Sequence, residues 1–155
     1  MKQNWKRLII NLAMPLAVGG LSALISGGMG DYKSINQPPL SPPGWLFPIV
    51  WAILYLLMGY AAYRVQVSGK GAELIRKAMV FYTLQLAANF LWSPVFFGLK
   101  LYLLAFFVLA ALWVLIYLTM RKFSRLDERA GDLLLPYILW VTFAGYLNLG
   151  VYLLN

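Results

Sequence analysis

Five stretches of this chain are so long and so apolar that a membrane-spanning helix is the conformation each predicts. They run over Leu8–Met29, Trp45–Val67, Ala78–Phe97, Leu101–Met120 and Leu133–Leu154. About 20 apolar residues of α-helix cross the hydrocarbon core of a bilayer. Inside lipid every backbone N–H and C=O must find its partner within the chain, which a helix provides. The pattern predicts an all-α membrane protein, a five-transmembrane-helix bundle, with residues 1–155 forming a single domain. Its connections are 30–44, 68–77, 98–100 and 121–132. Apolar residues make up 62% of the chain and charged residues 12%, roughly half the charged share of an ordinary soluble domain. The first stretch has a basic flank, as a signal peptide does. It runs long, shows no small-residue cleavage site after a short core, and precedes further spans, so it is read as a retained helix.

The net charge of +8 is read as topology and not as nucleic-acid binding. Lys2, Lys6 and Arg7 precede the first span. Arg64, Lys70, Arg76 and Lys77 flank the second-to-third connection, and Arg121, Lys122, Arg125 and Arg129 the fourth-to-fifth. With alternating helices all of these fall on one side, and Lys33 and Lys100 alone fall on the other. The bias predicts a cytoplasmic N-terminus and an external C-terminus. The simplest reading of the location is a bacterial cytoplasmic membrane.

The longest connection, 30–44, then lies outside, where a segment of this length is expected to act as a lid or binding loop. It runs into PPLSPPGWLFPIVW (38–51). Ser41 before Pro42 resembles an N-cap with proline at the first helical position. If the helix starts instead near Trp45, Pro48 falls in its first turn, where a missing N–H costs little. Trp45 suits the interfacial aromatic belt, whereas Trp51 lies six residues, about 9 Å, deeper.

The chain has no cysteine and no histidine, which excludes thiolate chemistry, the commonest metal and haem ligand, and the usual general base. No metal site is expected. No charged residue falls mid-span, which argues against a proton relay or ion-coupled transport. The polar groups inside the spans are amides. Gln85 and Asn89 share one face of the third helix with Trp92 and Phe96, and Trp140, Ala144 and Asn148 are spaced by four on the fifth. Trp51, Tyr55 and Met58 lie on one side of the second. One reading is packing glue, each interhelical amide contributing about 0.6 kcal/mol. The favoured reading is a ligand pocket in the outer half of the bundle beneath the 30–44 loop, enclosed by Trp51 and Trp140. The stripe Gly19, Ala23, Gly27 is read as close helix packing within or between subunits.

The stretches PPGWLFPIVWAILYLLMGYAAY (42–63), LQLAANFLWSPVFF (84–97) and PYILWVTFAGYLNLGVYLLN (136–155) resemble the signature blocks of the TspO/translocator-protein family, also called the tryptophan-rich sensory protein or peripheral benzodiazepine receptor family. The resemblance spans all five helices. It implies a membrane receptor that binds porphyrins such as protoporphyrin IX, and benzodiazepine- or isoquinoline-type ligands, in a cavity closed by the first loop. Together with the stripes above, it gives a candidate ligand-binding set of Tyr32, Trp51, Tyr55, Gln85, Asn89, Trp92, Trp140, Phe143, Ala144 and Asn148. Lys33 and Lys100, the basic residues of the outer side, are the candidate partners for porphyrin carboxylates. The resemblance implies no tightly bound cofactor, porphyrin being ligand or substrate, and a homodimer among membrane lipid. An alternative is a light- and oxygen-dependent porphyrin-degrading enzyme with Trp51 and Trp140 as its redox-active side chains. A second is passive transport of porphyrin or sterol. The animal cholesterol motif requires a basic residue after the last tyrosine, and Tyr152 is followed by LLN, so that motif is missing here.

Overall fold

The computed structural model describes residues 2–27 and 35–155. Its elements are α1 (Lys2–Ile25), α2 (Leu46–Gln66), α3 (Ala72–Ser93), α4 (Tyr102–Leu126), α5 (Glu128–Leu133) and α6 (Leu135–Leu154), with no strand among the described residues. A single π-turn, Pro94–Gly98, extends α3. α5 and α6 are separated by Leu134 alone and count as one span, giving five helical units long and apolar enough to cross a membrane.

Several helices outrun the apolar stretches that announce them. α3 begins at Ala72 and not Ala78, α4 ends at Leu126 and not Met120, and the last unit begins at Glu128 and not Leu133. Hydropathy registers only what lipid must cover, while charged residues carry a helix onward into water. Arg76 and Glu73 pair across one exposed turn at 2.7 Å. Asp127 caps α5 by accepting from the Arg129 N–H at 3.0 Å. The same carboxylate receives Arg64 Nε at 3.0 Å, joining the end of α2 to the α4–α5 corner. α1 stops earlier than expected, at Ile25, because Gly27 takes a left-handed φ of 78°.

α2 starts at Leu46, the second of the two starts the proline collar allows. Ser41 does not cap it, since its hydroxyl donates to the Pro38 carbonyl at 2.7 Å. The collar is fastened to α6 instead. Tyr146 Oη donates to the Pro39 carbonyl at 2.6 Å, and Asn155 Nδ2 donates to the Asn36 carbonyl at 2.8 Å. These bonds define a loop end of the bundle. At the opposite, basic end, Arg7 Nη1 donates to Gln66 Oε1 at 3.4 Å.

The core lies between α2, α3, α4 and α6, with Met58, Leu112, Ile116 and Phe123 fully buried. α1 docks on α2 through a backbone contact. Pro15 sits inside α1 and has no N–H to bond the carbonyl of Asn11, four residues earlier. A Cβ placed on Gly59 of α2 would overlap that same Asn11 carbonyl oxygen. The missing donor and the missing side chain therefore meet, and the two helices approach to backbone distance there.

Replacing Gly59 with valine should force α1 off α2 at a cost of about 1–3 kcal/mol, seen as a lower thermal unfolding midpoint in detergent. Gly145→Ala, where an added methyl meets nothing within 4 Å, should leave the midpoint unchanged or raise it slightly.

Candidate functional site

At the loop end α1, α2 and the end of α3 enclose a cavity of about 800 Å³. Each helix brings a different kind of wall. α1 contributes mostly small residues, Gly19, Gly20, Ser22 and Ala23, together with Leu16. α2 contributes rings: Trp51 stacks on Tyr55, with centroids 5.5 Å apart and planes inclined 29°. α3 contributes Asn89 and Trp92, and the π-turn adds Phe97. Trp45, exposed to 67%, also lines the cavity.

A chain of buried hydrogen bonds holds these rings. Tyr55 Oη donates to Asn89 Oδ1 at 2.9 Å. Asn89 Nδ2 donates to Tyr137 Oη at 2.7 Å, and Tyr137 Oη donates in turn to Gln85 Oε1 at 2.7 Å. α2, α3 and α6 are thus locked in one register. A second link positions Trp92, whose Nε1 donates to Asn148 Oδ1 at 2.9 Å, while Asn148 Nδ2 donates to the Tyr102 carbonyl at 2.8 Å. The outcome is a largely apolar cavity whose α2 and α3 sides carry the rings of Phe47, Trp51, Tyr55, Trp92 and Phe97 and the amide of Asn89, faces on which a flat apolar group can stack. No group of acidic, histidine or cysteine side chains among the described residues could hold a metal ion.

The model of the TspO/MBR family matches residues 11–154. The chain belongs to the TspO/MBR family. It is 40% identical to the tryptophan-rich sensory protein of Cereibacter sphaeroides over 100% of this chain and 95% of that one. It is 39% identical to protein CrtK of Rhodobacter capsulatus, covering 88% and 85% of the two chains. It is also 32% identical to the translocator protein of Bos taurus, over 96% and 89%. With five apolar helices and this family membership, the chain is an integral membrane protein of the sensory and binding type.

In this TspO/MBR chain the residues singled out from sequence separate into three groups. Trp51, Tyr55, Asn89 and Trp92 line the cavity. Gln85 and Asn148 stand one layer back and hold those side chains in place. Trp140, Phe143 and Ala144 do not line it. Trp51 and Trp140 do not face each other across one hole, because Phe47 intervenes: its ring lines the cavity and meets Trp140 edge-on at 5.8 Å. Trp140 packs onward against Phe143 at 5.7 Å, with its buried indole N–H unpartnered, and Ala144 is buried in the core. Lys100 also lies off the cavity wall, in the turn before α4 near Tyr152 and Asn155. Tyr32 and Lys33 lie outside the described residues.

The α1 wall was the main feature the sequence reading did not assign to the site. Its signal was the glycine–alanine stripe. Gly19 is required where it stands, since a Cβ there would run into the Tyr55 ring.

Tyr137→Phe should leave the Asn89 amide and the Gln85 carbonyl each short of a partner, costing about 1–3 kcal/mol. Tyr82→Phe removes a buried hydroxyl that has no partner and should be neutral or stabilising. Thermal unfolding of both variants in one detergent checks the contrast.

Proposed function

We propose that this TspO/MBR member is a receptor for planar tetrapyrroles of the protoporphyrin IX type, and for smaller benzodiazepine- or isoquinoline-type aromatics. Both would occupy the cavity between α1, α2 and α3. The observation that carries this reading is the Trp51–Tyr55 stack set beside an α1 wall made mostly of small residues, Gly19, Gly20, Ser22 and Ala23. That arrangement makes a slot with an aromatic face and room beside it. A cavity of about 800 Å³ falls within the range of about 300–1,000 Å³ usual for small-molecule sites. The amide of Asn89 supplies the polar contact, and the ligand's carboxylates look to water near the exposed Trp45. The basic residues gathered at the far end support an orientation with this cavity in the outer leaflet.

Adding protoporphyrin IX to the protein in detergent should quench tryptophan fluorescence saturably. Trp51→Phe should weaken binding about fivefold, in the range set by loss of one good aromatic contact. Trp140→Phe, one ring behind the wall, should leave affinity within about twofold. Quenching that never saturates, or equal losses in the two variants, would overturn the assignment.

The same stack favours a second reading. Trp51 touches Tyr55 and also Tyr137, the latter edge-on at 6.2 Å. A line of redox-capable rings therefore leads away from the ligand, a route by which the light-excited porphyrin can exchange an electron with the protein while molecular oxygen serves as the oxidant. Under illumination the porphyrin bands should then bleach faster than in empty micelles, and Trp51→Phe should abolish the difference. Equal bleaching in protein and in empty micelles rejects this reading.

A further inference from the structure

A groove separate from the aromatic cavity opens at the basic end, between α1 and α3. Near the loop end the two helices are fastened by hydroxyls: Ser22 Oγ donates to the Phe90 carbonyl at 2.7 Å, and Ser26 Oγ, whose own proton goes to the Ser22 carbonyl, accepts from Ser93 Oγ at 2.9 Å. On the basic side of that fastening lies a groove of about 960 Å³. Its walls are mostly apolar, with Met14 and Val18 on α1 and Leu86 and Phe90 on α3, while Asn11, Gln66, Tyr82 and Thr83 also line it and Lys6 and Arg7 stand at its end.

The position of Arg7 is built. The amides of Asn11 and Gln66 exchange two hydrogen bonds of 3.0 Å, and Arg7 Nη1 donates to the same Gln66 oxygen at 3.4 Å. The ion pairs among the described residues are Arg64–Asp127 and Arg76–Glu73. Lys6 and Arg7 therefore bring two cations to the groove with no carboxylate among the described residues paired to them.

We propose that this groove binds one anionic glycerophospholipid from the leaflet on the basic side. An acyl chain would lie along Met14, Val18, Leu86 and Phe90, with the phosphate between Lys6 and Arg7. The dimensions fit a single leaflet. From Arg7 to Val18 is 18 − 7 = 11 residues, about 16 Å of helix, or roughly half of the ~30 Å hydrocarbon core. Basic residues at the end of an apolar cleft between spanning helices are the side-chain chemistry that retains anionic headgroups. A zwitterionic lipid offers the same phosphate but brings its own ammonium group, which competes with Lys6 and Arg7 for it.

The test uses the full chain, purified in neutral detergent and offered equal amounts of dioleoylphosphatidylglycerol and dioleoylphosphatidylcholine, with adducts counted by native mass spectrometry. The anionic lipid should be retained about tenfold over the neutral one, as two interfacial cations allow. The double variant Lys6→Gln/Arg7→Gln should bring that ratio close to one. Ala87→Trp keeps both charges but fills the groove, and should lose both lipids. Met14→Trp fills it from the opposite wall and replaces Ala87→Trp if that variant loses its helical circular dichroism. Four results would each sink the proposal: equal retention of the two lipids by the unaltered chain; full retention by the plugged variants, which would mean surface attraction alone; displacement by millimolar inorganic phosphate, which would mean a simple anion site; or a lipid-free dimer covering this face.

Discussion

An amide buried among apolar helices has no water to turn to, and the architecture follows from how that need is met. Asn89 accepts from a hydroxyl on α2 and donates an N–H to a hydroxyl on α6, which in turn donates its O–H to Gln85. Three spans are held at one relative height by groups that would otherwise be unsatisfied in lipid. Apolar packing alone allows helices to slide, since one leucine substitutes for another at small cost. A directional bond between unique residues does not. The Trp51–Tyr55 stack inherits its position from this lock.

α1 is held differently. Its contact with α2 is made by absence, of an N–H at Pro15 and of a side chain at Gly59. Its contact with α3 is made by two serines near one end. Docked by backbone on one side and by short hydroxyls on the other, α1 leaves space on both of its flanks. The aromatic cavity lies toward the loop end and the basic groove toward the other. Small residues on a spanning helix are usually explained by close packing. Here Gly19 serves that purpose against Tyr55, while Gly20 and Ala23 leave room.

The spans were legible because lipid imposes a length and a polarity that sequence displays directly. The helix ends were less so, because Glu73, Arg76 and Asp127 extend or cap helices in water, where hydropathy gives no signal. Within the site, the i, i+4 stripes identified the inward faces of α2 and α3, and Trp51, Tyr55, Asn89 and Trp92 do meet at one cavity. The stripe on α6 also faces inward, yet Trp140 looks onto Phe47 and not onto open space. Spacing fixes a direction on one helix. Which ring arrives first from the neighbouring helix depends on where that helix starts, and the start of α2 is set by a proline collar whose two possible readings differ by several residues.

The π-turn at Pro94–Gly98 has a consequence for register. Its wider ring, closed by the Leu99 N–H on the Pro94 carbonyl at 2.8 Å, accommodates one residue more than an α-turn does. Successive helical side chains point about 100° apart, so an extra residue redirects everything after it. Phe96 packs beside Val151, and Phe97 reaches the cavity. Wound on as plain α-helix, the same residues would carry every later side chain about 100° away from its present neighbours, altering the shape of the wall without altering its composition.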